Sequence, residues 1–270
     1  MVHVQADWQA KEPLDFAKET AWLNSLDQPP LAIVGEARLN DTKHIDALLD
    51  AHTAASPRFR GIRDMLAYHS AKTVHNFNTR EDMAMTPEFR QGFTKLGERD
   101  LSYDAFLFSH QLPMLCDLVE KIPQTRVVLD HVGTPIGMGG PFGGFGETTA
   151  ERAKIKQTWQ DDMKRLAQSE QVYVKLSGLF MHPLGWHHLD SWQSPITAEQ
   201  AADYMAEPIN FVLETFGPDR CMFGSNFPPD LGLIDFVTLY DAFFKVTETL
   251  DWQTKQALFA NNARKFYRLD

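Results

Sequence analysis

Short apolar runs alternate along the chain with longer segments whose apolar positions recur at helical spacing. The runs Val2–Gln5, Leu31–Gly35, Phe59–Arg63, Leu101–Phe108, Arg126–His131, Val172–Leu176 and Arg220–Gly224 are mostly rich in Val, Ile, Leu and Phe, with turn residues at their ends. Strands buried on both faces of a parallel sheet have that composition. Between them the pattern predicts helices over Phe16–Leu26, Thr42–Ala54, Pro87–Leu96, Leu112–Lys121, Ala150–Gln168, Ala198–Phe216 and Ile234–Leu250. Shorter helices are expected at Trp252–Phe259 and after Asn261. Thr197, with Glu199 and Gln200 behind it, is the N-cap candidate for the helix opening at Ala198. Alternation of this kind implies an α/β fold: a parallel sheet with helices outside, in one domain over residues 1–270. The strand count is one short of a closed (β/α)8 barrel. An open doubly wound sheet is the other architecture the pattern allows. Its nucleotide-binding forms lose support, because no GxGxxG follows the first strand and no GxxxxGK[ST] occurs.

Composition narrows the partners. Lys and Arg number 26 against 36 Asp and Glu, a formal net charge of −10. Such a surface repels nucleic-acid phosphates and anionic lipid, so neither nucleic acid nor membrane is expected as a partner. A small-molecule substrate fits better, and a homo-oligomer is compatible with the sequence. Cys116 and Cys221 lie far apart and form no CxxC pair, which argues against a disulfide framework and a cysteine zinc site. Met1 to Trp8 shows no basic segment followed by an apolar run, so no signal peptide is read and a cytoplasmic location is expected. The Gly133–Gly146 stretch, GTPIGMGGPFGGFG, predicts a flexible loop with the potential to cover the strand ends as a lid.

In parallel barrels, functional side chains sit at the C-terminal ends of strands. Several polar residues fall there. Arg63 ends FRGIR, His110 and Gln111 follow the fourth run, and His131 ends RVVLDH. Lys175 and Ser177 close VYVKLS, and Asn226 and Asp230 stand in GSNFPPD. Ser177 has no histidine at a motif-defined spacing, so a serine nucleophile is not expected. His182, His187 and His188 read as loop residues. His44, His52, His69 and His75 read as surface or packing residues, and the tryptophans mostly as core.

RGIR, FSHQLP, VVLDHVGTP, VKLSGL, MFGSNFPPD and ALFANNARKFYRL occur in this order, and the chain that carries them resembles the amidohydrolase-2 group of TIM-barrel hydrolases. The likeness covers nearly the whole chain, and the branch it resembles most is that of the sugar-lactone and pyrone-dicarboxylate lactonases. The resemblance implies a (β/α)8 barrel. It also implies site roles for His110 and His131, after the family's fifth and sixth strands, and for Arg63, after its fourth. Two departures stand out. The family often has an aspartate as GSD after its last strand; here Asn226 takes that place, and an amide is no general base. Asp230, four residues on, is the candidate replacement. The family also opens with a strand bearing HxH, and no HxH occurs here. VHVQADW resembles the family's second strand, so the first βα unit is expected to be missing.

The resemblance implies one reaction, hydrolysis of a small cyclic ester. His110, His131 and Arg63 would polarise the carbonyl and Asp230 would take the proton of the attacking water. Gln111 and Lys175 are the further substrate-binding candidates. No metal ligands are assigned; a divalent metal such as zinc is possible, although two histidines and an amide are a thin set. A metal-dependent decarboxylase on the same barrel and a non-catalytic metabolite-binding barrel are the alternatives.

Overall fold

The structure is a computed structural model and describes residues 1–186 and 195–269. His187 and His188 lie outside the described residues. The strands are β1 (Val2–Val4), β2 (Ala32–Glu36), β3 (Phe59–Arg63), β4 (Ser102–Ala105), β5 (Val127–Leu129), β6 (Val172–Leu176) and β7 (Cys221–Phe223). They pair in sequence order, every pair parallel. The helices between them are α1 (Ala17–Asn24), α2 (Ile45–Ala55), α3 (Pro87–Glu98), α4 (Leu112–Lys121), α5 (Thr149–Leu166) and α6 (Ala198–Phe216). After β7 come α7 (Phe236–Val246), α8 (Trp252–Gln256), a π turn and α9 (Asn262–Tyr267). None of the described helices is long and apolar enough to cross a membrane.

Side-chain alternation divides the sheet into two faces. Ile62, Tyr103, Ala105, Val127, Leu129, Val174, Leu176 and Cys221 join the main core beneath the helices. The other set packs inward: Val2, Val4, Ala32, Val34, Val128, Tyr173 and Met222 surround Phe266 and Tyr267 at the end of α9. Residues of β1, β5 and β7 can share one such cluster only if the sheet is curled. Polar contacts across the concavity agree: Arg63 at the end of β3 donates to the Gln5 carbonyl at 2.6 Å and pairs with Asp130 at 3.6 Å. The last turn of the chain thus fills the inside of the sheet. Full burial of an aromatic such as Phe266 contributes roughly 1.5–3 kcal/mol.

Close packing on the outer face depends on small residues. At Gly35 a Cβ would lie 2.6 Å from His52 Cε1, so glycine lets α2 approach β2. His52 is fully buried between Thr20 Oγ1 and the Glu36 carbonyl. Thr197 caps α6 as expected, accepting from the Gln200 amide at 3.3 Å.

Three expectations change. The Leu101–Phe108 run pairs only over Ser102–Ala105. Phe106 and Phe108 leave the sheet to join a satellite cluster with Met65, Ala67, Val74 and Ile136, under the loops 64–86 and 133–146. The glycine-rich loop is tied down: Gly137 and Gly139 donate to the carbonyls of Pro183 and Leu184, and Thr73 to that of Gly143. Trp22 and Trp252 are 51% and 72% exposed, so these two are not core. His69 is half-buried and packs edge to face on the rings of His110 and Phe145.

Candidate functional site

The C-terminal ends of β3 to β7 carry the candidate residues, and the backbone there is strained. His131, Val132 and Thr134 have φ of 54°, 48° and 42°, and Asn226 has 52°. Left-handed φ is costly for a β-branched residue such as Val132, and such strain collects at functional sites. The turn after β5 is held by Trp159, whose indole donates to the Val132 carbonyl at 2.8 Å. It aims the His131 ring toward β6, where Nδ1 lies 3.0 Å from Ser177 Oγ. Gly178 makes room for the ring. A Cβ there would sit 2.6 Å from His131 Cγ, and its φ of 63° also favours glycine. Phe106 meets the ring edge to face at 5.4 Å. Burial pushes the His131 imidazole down to about 4, with Arg63 and Lys175 assisting and Asp130 opposing. The ring is therefore neutral at pH 7, and in the tautomer that accepts the Ser177 hydroxyl at Nδ1 the proton sits on Nε2.

Beneath His131 lies a buried charged layer. Lys175 bridges Asp104 and Asp130, the latter at 2.8 Å. Burial favours the neutral forms, but the cations Lys175 and Arg63, with His131, outweigh it at Asp130 and hold that carboxyl low. Burial raises Asp104, with the like charge of Asp130 adding to it and Lys175 opposing. Lys175 stays charged, since its two carboxylates outweigh burial. Arg63 and Lys175 are thus both engaged inside the sheet.

Asp230, in the turn after β7, is 1% exposed. It accepts from Asn226 Nδ2 at 2.8 Å, and its Oδ2 has no partner among the described residues. Burial pushes its carboxyl up to about 7, against the opposing hydrogen bonds from Asn226 and the Phe180 backbone. Asn226 is thus a partner of the carboxylate rather than a substitute for it. A carboxyl that titrates near neutrality suits general-base work.

His110 does not join His131. Its neighbours are His69, edge to face at 4.8 Å, the Phe108 ring, and Glu81 Oε1 at 3.7 Å from Nε2. Burial, with His69 adding to it, lowers its proton affinity. Gln111 is also not free. Its amide donates to the carbonyls of Leu66 and Glu81 and accepts from the amides of Tyr68 and Phe108. With all four positions used, it fastens the 64–86 loop rather than offering a group to substrate.

Asp130, Asp104 and Gly178 lie around His131 and were not singled out from the sequence; Ser177 was noted at its strand end, but not as the partner of His131. Ser177 lies two residues past Lys175 and so on the same strand face, a signal that was available. Asp104 carries no local signal. A groove of about 240 Å³, lined by Lys11, Phe16, Arg38, Asp41 and His44 among others, opens beside α2 and shares no residue with the His131 cluster. The partly polar setting of His131 and Asp230 is the chemically richer place. Among the described residues no three His, Cys, Asp or Glu side chains are arranged to hold a metal. Those donors do not fit the three-ligand pattern of catalytic zinc.

A family model described as amidohydrolase matches residues 1–269. An uncharacterized protein, y4mH, of Sinorhizobium fredii is 34% identical over 96% of this chain and 77% of its own length. An L-fucono-1,5-lactonase of Burkholderia ambifaria is 26% identical over 95% of this chain and 74% of its own. Among solved structures, an amidohydrolase from Burkholderia multivorans with bound HEPES superposes with a TM-score of 0.76 at 23% identity, covering all of this chain and 83% of that one. Decarboxylase structures superpose at 0.56, with identities of 12% and 11%, a likeness of fold alone.

Proposed function

The chain belongs to the amidohydrolase family, and from that premise we propose that it hydrolyses a small cyclic ester, of the sugar-lactone or pyrone-lactone class. The observation that carries the reading is a buried carboxylic acid, Asp230, raised to about 7 by burial, at the same strand ends as a neutral, oriented His131. The lactonase-named relative supports the ester class.

In this reading water attacks the ring carbonyl carbon while Asp230 takes its proton. The His131 tautomer with its proton on Nε2 stabilises the oxygen that becomes negative. Collapse of the tetrahedral species breaks the ring C–O bond. The proton held by Asp230 passes to the leaving ring oxygen, giving an open-chain hydroxy acid. Lactones are activated esters, so a base and an oxyanion donor are a sufficient pair. We further propose that the curled sheet is seven-eighths of a (β/α)8 barrel.

The test is hydrolysis of a panel of sugar lactones and pyrone lactones by the purified chain, followed with a pH indicator, with and without added zinc or manganese. Turnover that disappears in His131→Ala supports the site. Silence of folded protein on the whole panel, with and without metal, rejects the hydrolase and moves a metabolite-binding barrel to first place.

A further inference from the structure

The last turn of the chain reaches the charged layer under His131. Tyr267 is 1% exposed, and its hydroxyl donates to Asp104 Oδ1 at 2.7 Å. Lys175 binds the same Asp104 and, at 2.8 Å, Asp130. Asp130 is joined through the backbone to His131. Lys175 Nζ also stands 5.8 Å from the centre of the Tyr267 ring. Packing alone does not require this arrangement. Phe266, next to Tyr267, fills the same interior with no polar atom, and a phenylalanine at 267 would keep the apolar contacts. The hydroxyl is aimed at a carboxylate whose other oxygen has no hydrogen-bond partner among the described residues.

We infer that Tyr267 is a positioning residue: its phenol fixes Asp104 and, through Lys175, the Asp130 carboxylate beside His131. The C-terminal turn is then part of the active site's electrostatics, although it touches no substrate. The proposal takes from the functional reading only that His131 is a site residue.

The groups that act on His131 are Asp130, Arg63 and Lys175 by charge, Ser177 by hydrogen bond and Phe106 by ring contact. Losing the phenol donor raises the proton affinity of Asp104, because a hydrogen bond to the charged form is gone. A more often neutral Asp104 leaves Lys175 less compensated, and the added positive charge opposes the imidazolium.

The measurement is the titration midpoint of His131 by NMR in full-length protein labelled at histidine, assigned with His131→Gln. In Tyr267→Phe the midpoint falls by about half a unit or more. Asp104→Asn, which removes the charge outright, lowers it further. Phe266→Leu, a packing change in the same turn, leaves it unmoved. If the wild type hydrolyses a lactone, Tyr267→Phe lowers kcat with KM unchanged within twofold. A midpoint within about 0.1 unit of wild type in both folded polar variants overturns the inference. Should Tyr267→Phe fail to fold, Asp104→Asn decides alone. A shifted midpoint in protein that hydrolyses nothing sinks the lactonase reading and leaves the positioning role standing. Hydrolysis with unmoved midpoints does the reverse.

Discussion

At the scale of single residues, burial sets the proton affinities on which the chemistry depends. Asp230 sits near 7 because its carboxyl is buried and only one oxygen is bonded to a side chain. Its folded value is raised above the unfolded one, so the linked stability is full below the unfolded value near 3.8 and is lost as pH rises through about 7. Thermal melts of Asp230→Asn should therefore lose less stability between pH 4 and 8 than the wild type. Gln111 offers a different test. Gln111→Ala strands four backbone groups and should cost about 2–4 kcal/mol in urea unfolding, with KM little changed in whatever protein folds. A large rise in KM without loss of stability would restore Gln111 to substrate binding. Sequence placed Asp230 and His131 at strand ends because strand ends are legible from apolar runs. A satisfied strand-end charge is the commoner role for a residue such as Lys175, but its partner Asp104, and Leu66 as a partner of Gln111, come from distant segments and could not be named.

At the scale of elements, the strands were readable because a doubly covered strand is rich in apolar residues, as the start of β2 and the alternate positions of β6 are. The error at Leu101–Phe108 has a physical cause. Phe106 and Phe108 are as buried as strand residues, but in a cluster beneath two loops, and hydrophobicity alone does not separate the two settings. The 64–86 loop was likewise opaque, and with it the pairing of His69 with His110. The β5 and β6 exits are coupled through a missing side chain, that of Gly178. Gly178→Ala should displace the His131 ring and lower kcat about tenfold or more. It should also cost about 1–2 kcal/mol through the left-handed backbone. A crystal structure or His131 NMR shift unchanged from wild type would contradict that coupling.

For the whole molecule, the notable feature is a curled parallel sheet filled from within by its own C-terminal turn. Phe266→Ala should cost about 3–5 kcal/mol, a core value, although only four residues follow it in the sequence. A loss below about 1 kcal/mol would mean that the turn is a lightly held tail. The order of the motifs pointed to this family, and the sheet order agrees with it. The way the turn reaches Asp104 was not legible, because the contact spans 163 positions of sequence. The central claim is that Asp230 and His131 together hydrolyse an ester ring. Its most direct test is the pH dependence of lactone turnover in wild type and Asp230→Asn. The account predicts a rate that rises with pH through a midpoint near 7 and a fall of about a hundredfold or more in Asp230→Asn, with that limb lost. An unchanged rate and limb in Asp230→Asn would contradict it.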